Sequence, residues 1–438
     1  MLKVTKFGGS SVAGSEQFKK VKHIIESDDS RKVVVISASG KRFKEDHKLT
    51  DLLYLCHAHL TYGVGCDDIL SDIKGRFKEI AENLSLESSV ADEFERYASS
   101  LSRDTSVDEL VSRGEYFTSR LMAEYLGFKF VDAADCVFFG IDGRIDREKT
   151  YAAIKEKQLE FDKIVIPGFY GSLPSGKIKV MTRGGSDITG AFAAAATGAD
   201  VYENWTDVSG ILMADPRIVN SPKPIEKITF AELRELAFSG ASVLHEDSVQ
   251  PVREAGIPIN IRNTNSPEDA GTLILEKVDE QESEENDRFI TGIAGRRNFD
   301  ILTVRKHEMT TEVLCRALTT FSNYHVKVEH ITLGIDSFAL VVSESELKDK
   351  LYDIIADLEK DIRPDNISVQ DGIALIASVG RKMPFRPGVS GKLFKALGDN
   401  NINIRTIAQG ADELSIMVGV ENEKYETAIR VLYDGFTI

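Results

Sequence analysis

Two glycine pairs, each preceded by a cation and followed by a helical pattern, are the residues best suited to chemistry in this chain. The first is Lys6-Phe7-Gly8-Gly9-Ser10-Ser11, entered directly from an apolar run. Paired glycines at a strand-to-helix turn let backbone N–H groups come close to a ligand. The helix start adds about half a positive charge and the lysine a full one. The segment is therefore a phosphate cradle or, more plainly, a glycine turn beside a surface lysine. The second pair, Met181-Thr182-Arg183-Gly184-Gly185-Ser186-Asp187, repeats the arrangement ahead of the Ala-rich helix ITGAFAAAATG. A third phosphate-suited stretch runs from Asn204-Trp205-Thr206-Asp207-Val208-Ser209-Gly210 to Asp215-Pro216-Arg217. There Arg217 can grip a phosphate with both arms of its guanidinium, and Asp207 can organise the loop or a cation. Ser112-Arg113-Gly114-Glu115 opens a helix predicted over 116–126. Glu115 at that start either favours the helix dipole or holds a substrate ammonium.

Familiar nucleotide and metal patterns fail. Gly9-x4-Gly14 has Walker spacing, but Ser15 stands where the phosphate-binding lysine belongs, and no GxGxxG follows a predicted strand. His57 and His59 are two apart on a predicted helix and point to different faces.

Elements able to position these residues are visible in the patterning. Over the first ~275 residues, apolar runs at 2–7, 32–37, 129–133, 163–169, 177–181, 199–205 and 257–263 alternate with amphipathic segments such as 15–27 and 230–241. This predicts an α/β domain at 1–275 with a mostly parallel sheet sandwiched by helices, and an all-helical inset at about 50–126. The stretch at 276–288 carries seven acidic and two basic residues with a single Val, and reads as a linker. Two segments of similar order follow, each a βαββα unit, at 289–371 and 372–438. They serve either as a dimerisation platform or as small-molecule sensors.

The 438 residues carry 54 Lys+Arg against 70 Asp+Glu, a net charge of −16 that opposes nucleic acid and anionic membranes. Any anionic ligand needs a local basic constellation. The four cysteines form no CxxC pair, which fits a reducing compartment. No signal-peptide core opens the sequence, and the most apolar stretch, 188–199, is shorter than the ~20 residues of a bilayer span. A cytoplasmic location is expected.

The joint motif set resembles the signature of the aspartate kinases, within the amino-acid kinase superfamily: KFGGSSVA (6–13), SRGE (112–115), TRGGSD (182–187), TDVSG…DPR (206–217) and GASVLH (240–245). The two βαββα units resemble that family's ACT regulatory domains, most clearly at QGADELSIMVGV (409–420). The resemblance implies ATP-dependent phosphorylation of the L-aspartate side-chain carboxylate to 4-phospho-L-aspartate, at the entry to lysine, threonine and methionine synthesis. It implies that Lys6 stabilises the transferring phosphoryl group, Gly8 and Gly9 donate N–H groups, and Asp187 orients Lys6. By the same resemblance Arg183 takes the substrate α-carboxylate, Glu115 its ammonium, and Thr50 and Ser186 complete the pocket. Ser39, Thr206, Asp207, Leu212 and Arg217 fall to the nucleotide, and Mg²⁺ arrives with ATP rather than in a protein cage. Leu212 replaces a common Tyr and Ser242 a common Lys, while His245 is followed by Glu246 instead of Pro.

For the ACT region the resemblance implies end-product inhibition, with lysine favoured and threonine possible. Lys306, Met309, Thr310, Val328, Glu329 and Asp336 stand at the effector positions. It also implies a homodimer or a dimer of dimers through the ACT units. A kinase of glutamate or acetylglutamate and a non-catalytic amino-acid sensor are the rival readings.

Overall fold

The computed structural model describes residues 1–182, 184–241, 244, 246–278 and 289–437. The chain divides into two compact units, Met1–Ile211 with Pro224–Phe230 and Val243–Val278, and Leu212–Lys223 with Ala231–Ser242 and Asp279–Ile438. Most of the predicted acidic linker, 279–288, lies outside the described residues.

The first part of the chain runs β1 (Lys3–Phe7), α1 (Ser15–Glu26), β2 (Arg31–Ile36), α2 (Leu49–Tyr62), α3 (Asp67–Asn83), α4 (Val90–Ser99), α5 (Val107–Leu126), β3 (Lys129–Phe130), α6 (Arg147–Phe161) and β4 (Ile164–Pro167). It continues with β5 (Tyr170–Ser172), β6 (Ile178–Val180), α7 (Gly185–Thr197), β7 (Val201–Thr206), β8 (Lys227–Thr229), α8 (Phe230–Phe238), α9 (Glu246–Glu254), β9 (Ile259–Asn263) and β10 (Thr272–Leu275). Eight strands form one sheet in the order β3-β4-β2-β1-β7-β9-β10-β8, parallel except for the β9–β10 pair. The continuous β-branched runs of β2 and β4 are buried along nearly their whole length, as strands covered on both faces must be.

The segment at 177–181 forms a strand outside this sheet: among the described residues β6 pairs only with β5, in a two-stranded antiparallel hairpin. The expected strand at 129–133 shrinks to the two residues of β3. Helices α2 to α5 make the expected all-helical inset, packed around Phe77, Phe94 and Phe117, whose ring centroids lie 5.4 to 5.7 Å apart.

One helix differs from expectation in a way that matters. Instead of opening at residue 116, α5 starts at Val107, so Glu115 stands in its interior rather than at its N-terminus. Ser106 caps the helix, accepting the Glu109 N–H at 3.2 Å, so the helix starts nine residues before the predicted position. Glu115 is therefore not placed to stabilise the helix dipole.

In the second unit the order is β11 (Gly292–Arg305), α10 (Thr311–Asn323), β12 (Val328–Leu333), β13 (Ser337–Ser343), α11 (Glu344–Leu347) and α12 (Leu351–Ile362), then β14 (Asn366–Val379), α13 (Val389–Asp399), β15 (Thr406–Gln409), β16 (Ser415–Glu421) and α14 (Tyr425–Thr437). This is βαββα twice, as the repeat predicted. The two repeats share a single antiparallel sheet in the order β12-β13-β11-β14-β16-β15, with the long strands β11 and β14 paired at its centre. Leu302, Phe321, Phe338, Leu340 and Leu358 fill the core of the first repeat.

Candidate active site

The sheet order carries the first clue. From β1 the chain turns to β2 on one side, while β7 joins β1 on the other, so the connections diverge at the β1–β7 junction. In open parallel sheets, ligands bind at the carboxyl ends of the strands at such a switch point. Three of the predicted loops start from these ends: Gly8-Gly9 after β1, Ser37 to Gly40 after β2, and Thr206-Asp207 at the end of β7.

Lys6 lies opposite Asn204 in the parallel β1–β7 register. Its side chain is nine-tenths buried, and its Nζ meets Asp187 Oδ1 at 2.6 Å. The same carboxylate oxygen accepts a hydrogen bond from Asn204 Nδ2 at 2.8 Å. Asp187 thus holds the ammonium and is itself held, a geometry that aims one charge without freezing it in an isolated pair. A Cβ placed on Gly8 would stand 3.6 Å from Lys6 Nζ, so the ammonium rests against the glycine turn. The Gly8 N–H, expected as a phosphate donor, is instead engaged by the Trp205 carbonyl at 3.1 Å. Strand pairing reaches one residue further than the motif suggests and removes that donor.

Asp187 and Ser186 sit in the first turn of α7, reached through Gly184 at φ +61°, in the left-handed region that favours glycine. Ser186 is buried against Gly168, where a Cβ would come within 2.6 Å of the serine side chain. Phe169, next in the chain, holds φ +78°, a conformation that a bulky residue adopts only when its surroundings compel it. Its N–H donates to Thr189 Oγ1 at 3.2 Å and its carbonyl accepts the Met181 N–H at 2.8 Å. Arg183 lies outside the described residues, as do Ser242 and His245.

Glu115 is buried, with its Oε2 among the side-chain atoms that find no hydrogen-bond partner. Burial pushes its carboxyl up to about 8, against the opposing pull of hydrogen bonds with the backbone of Ala38 and of Glu115 itself. A buried acceptor without a donor is costly unless a ligand supplies one. One turn on, Thr118 Oγ1 accepts the Ser39 N–H at 3.3 Å, tying the β2 loop to α5. Thr50 is half-buried in the first turn of α2.

Thr206 Oγ1 donates to Asp207 Oδ1 at 3.1 Å, and Asp207 is exposed. Leu212 and Arg217 belong to the second unit, where the exposed Arg217 guanidinium pairs with Asp215 at 2.6 Å. Among the described residues, no three His, Cys, Asp or Glu side chains gather as a metal cage. Asn204, Thr118 and Phe169 are the participants that sequence reading assigned no part. Asn204 entered the sequence reading only as the first residue of the third phosphate-suited stretch, with no role of its own.

The residues predicted to meet an effector are in the second unit. The Glu329 side chain is 5% exposed and paired with Arg296 at 3.1 Å and Lys327 at 3.4 Å. Lys306 donates its N–H to the Asp336 carbonyl at 2.8 Å and its Nζ to the Arg363 carbonyl at 3.1 Å. Thr310 caps α10 through the Val313 N–H, Met309 packs on the first-repeat core, Val328 opens β12, and Asp336 is exposed.

The amino acid kinase family pattern matches residues 1–263, and an ACT-domain pattern matches 376–436. Aspartokinase 3 of Bacillus subtilis is 32% identical over 99% of this chain and 98% of its own length. The crystal structure of Clostridium acetobutylicum aspartate kinase superposes with a TM-score of 0.90 at 45% identity, covering 100% of both chains. Two structures of Escherichia coli aspartokinase III, each 28% identical with 100% of both chains covered, superpose at 0.76 (the complex with aspartate and ADP, an R-state) and 0.74 (the complex with lysine and aspartate, a T-state). A lysine placed at the switch point of a parallel sheet, a motif set in family order and likeness along the whole chain converge: this chain belongs to the amino acid kinase family and, within it, to the aspartokinases.

Proposed function

We propose that this aspartate kinase transfers the γ-phosphoryl group of ATP to the side-chain carboxylate of L-aspartate. A carboxylate oxygen attacks the γ-phosphorus, the bond to the β,γ-bridging oxygen breaks, and ADP leaves with that electron pair. The nucleophile has an ordinary pKa of about 3.9 and is already ionised at neutral pH, so no general base is needed. The obstacle is charge: two like unit charges 4 Å apart repel by about 4 kcal/mol at an effective dielectric of ~20, and a triphosphate carries several. Catalysis therefore rests on positioning and neutralisation. The observation that carries the reading is the Lys6 ammonium, buried at the glycine turn and aimed by Asp187 and Asn204.

Glu115 supplies the acceptor for the substrate ammonium through its unpartnered Oε2, Arg183 the partner for the α-carboxylate, and Thr50 and Ser186 the remaining walls. Gly9, Ser39, Thr206, Asp207, Leu212 and Arg217 serve the nucleotide, which arrives with Mg²⁺ held by its phosphate oxygens and water. A hydroxamate assay with aspartate, glutamate and N-acetylglutamate tests this. Acyl phosphate from aspartate alone is expected, and turnover confined to glutamate would end the reading.

Residues 1–275 are proposed as the catalytic domain and 289–371 and 372–438 as ACT domains joined through the 276–288 linker, assembling as a homodimer or dimer of dimers in the cytoplasm. No helix among the described residues is long and apolar enough to cross a membrane. Lysine is the proposed inhibitor, supported by the lysine complex of the E. coli relative, with the product entering lysine, threonine and methionine synthesis. Initial rates against aspartate with lysine, threonine or both present decide the effector.

A further inference from the structure

Between β2 and α2 the chain makes an excursion, GKRFKEDHK at residues 40–48, that the assigned chemistry leaves unused. Its ends are pinched together: the Leu49 N–H donates to the Ser39 carbonyl at 3.1 Å. That closure makes it a compact loop of the Ω kind, a form often used for binding. Its base is welded to the glycine turn after β1. The Gly40 N–H donates to the Gly9 carbonyl at 2.9 Å, and a Cβ on Gly40 would fall 2.7 Å from the Gly9 carbonyl carbon. Only glycine permits that approach. Further along, the Arg42 stem passes 4.0 Å from where a Cβ of Gly14 would stand, at the start of α1. The loop therefore begins against the turn on which the Lys6 ammonium rests.

Its side chains divide sharply. Asp46 is buried while every other residue of 41–48 is exposed. Asp46 accepts the Arg42 N–H at 3.0 Å and Arg42 Nε at 2.9 Å, and pairs with Arg76 Nη2 of α3 at 2.6 Å. Arg76 also reaches the His47 carbonyl at 2.8 Å, and Arg42 extends to Glu79 at 2.9 Å. Burial pushes the Asp46 carboxyl up, but the Arg42 hydrogen bonds and the Arg76 charge outweigh it and hold the group well below the usual carboxylate range. The fold thus fixes the shape of an exposed loop with a buried charge network. With Asp46 and Arg42 occupied by each other, Lys41, Lys44 and Lys48 remain exposed and unpaired among the described residues, against only Glu45. In a chain of net charge −16, this is a local positive constellation.

We infer that the 40–48 loop is a second phosphate-gripping element, in which Lys41, Lys44 and Lys48 embrace the triphosphate of the nucleotide and Asp46 acts as a positioning residue. The inference rests on the reading that ATP binds at the glycine turn. The lysines supply the charge that Lys6 alone cannot, and the network through Arg76 keeps them from collapsing onto neighbouring carboxylates.

Titration calorimetry of the full chain with ATP-Mg, AMP, adenosine and inorganic tripolyphosphate, without aspartate, tests it. In the triple variant Lys41→Ala/Lys44→Ala/Lys48→Ala, the Kd for ATP and tripolyphosphate should rise at least about tenfold and become less salt-dependent, while AMP and adenosine change less than about twofold. An ATP affinity within about twofold of the unaltered chain, or an equal loss for ATP and adenosine, would overturn the assignment. Asp46→Asn should raise the ATP Kd about threefold and its KM in parallel, leaving the aspartate KM in place. A lowered Tm with an unchanged ratio of ATP to AMP affinity would make Asp46 structural only. If the unaltered chain binds ATP but phosphorylates glutamate, the substrate reading falls and the loop stands. If it binds neither ATP nor tripolyphosphate, both fall.

Discussion

The Lys6 site and the proposed effector positions around Glu329 are both built on charge, and they spend it differently. Around Lys6 one oxygen of Asp187 accepts both the ammonium and the Asn204 amide, while Glu115 keeps one oxygen with no donor. Around Glu329 the buried carboxylate is already met by Arg296 and Lys327, and those cations stack on Phe238. A ligand entering the first region completes a network. A ligand reaching the second must displace partners, so its effect is an exchange between two satisfied states, which suits regulation more than chemistry.

The sharpest break of this contrast is Lys6→Ala. Its charge acts chiefly as the phosphoryl group moves, so kcat should fall by about 10³ or more with the aspartate Kd changed only a few-fold, measured by steady-state kinetics beside equilibrium binding. A loss confined to KM would contradict the role.

Glu115→Gln comes next. The ammonium needs the ionised carboxylate, so the aspartate KM should rise about a hundredfold. The sign with pH follows from the raised carboxyl. Below about 8 the empty site is protonated and must lose that proton to bind, so the unaltered chain's aspartate KM should fall as pH climbs from about 6 to 8. The Gln variant should lose that slope. A flat profile in the unaltered chain would remove Glu115 from the ammonium site.

A milder test is Asn204→Ala, which frees Asp187 from its second partner and should lower kcat about tenfold with the aspartate KM near its original value. Smallest on catalysis is Glu329→Gln: without effector, kcat should stay within about twofold, while the lysine concentration for half inhibition shifts several-fold. Equal loss of kcat at Asn204 and Glu329 would erase the distinction between the regions.

Much of this was legible beforehand because it is local. Buried β-branched runs announce parallel strands, and a cation before a glycine pair announces a cradle. Where the reading failed, the cause lay elsewhere in the chain. Ser112 to Glu115 read as the opening of a helix at 116, yet Gly114 lies inside α5, where a Cβ would press within 3.0 Å of Ala38 and 3.2 Å of Leu53. Asn204 gains its part only from the register that sets it beside Lys6. The Gly8 N–H was lost to Trp205, a partner nearly two hundred residues away. The orphaned oxygen of Glu115 depends on the whole pocket around it.

The two repeats meet along β11 and β14, fourteen residues each, running side by side from Gly292 opposite Val379 to Arg305 opposite Asn366. The division expected from the sequence at 371 falls inside β14, the strand that opens the second repeat. Cutting the polypeptide there would bare the open flank of a half-sheet on each fragment, an invitation to pair with strangers. The two halves are therefore expected to melt together, and an event that loosens one is felt by its twin through paired backbone rather than through a messenger.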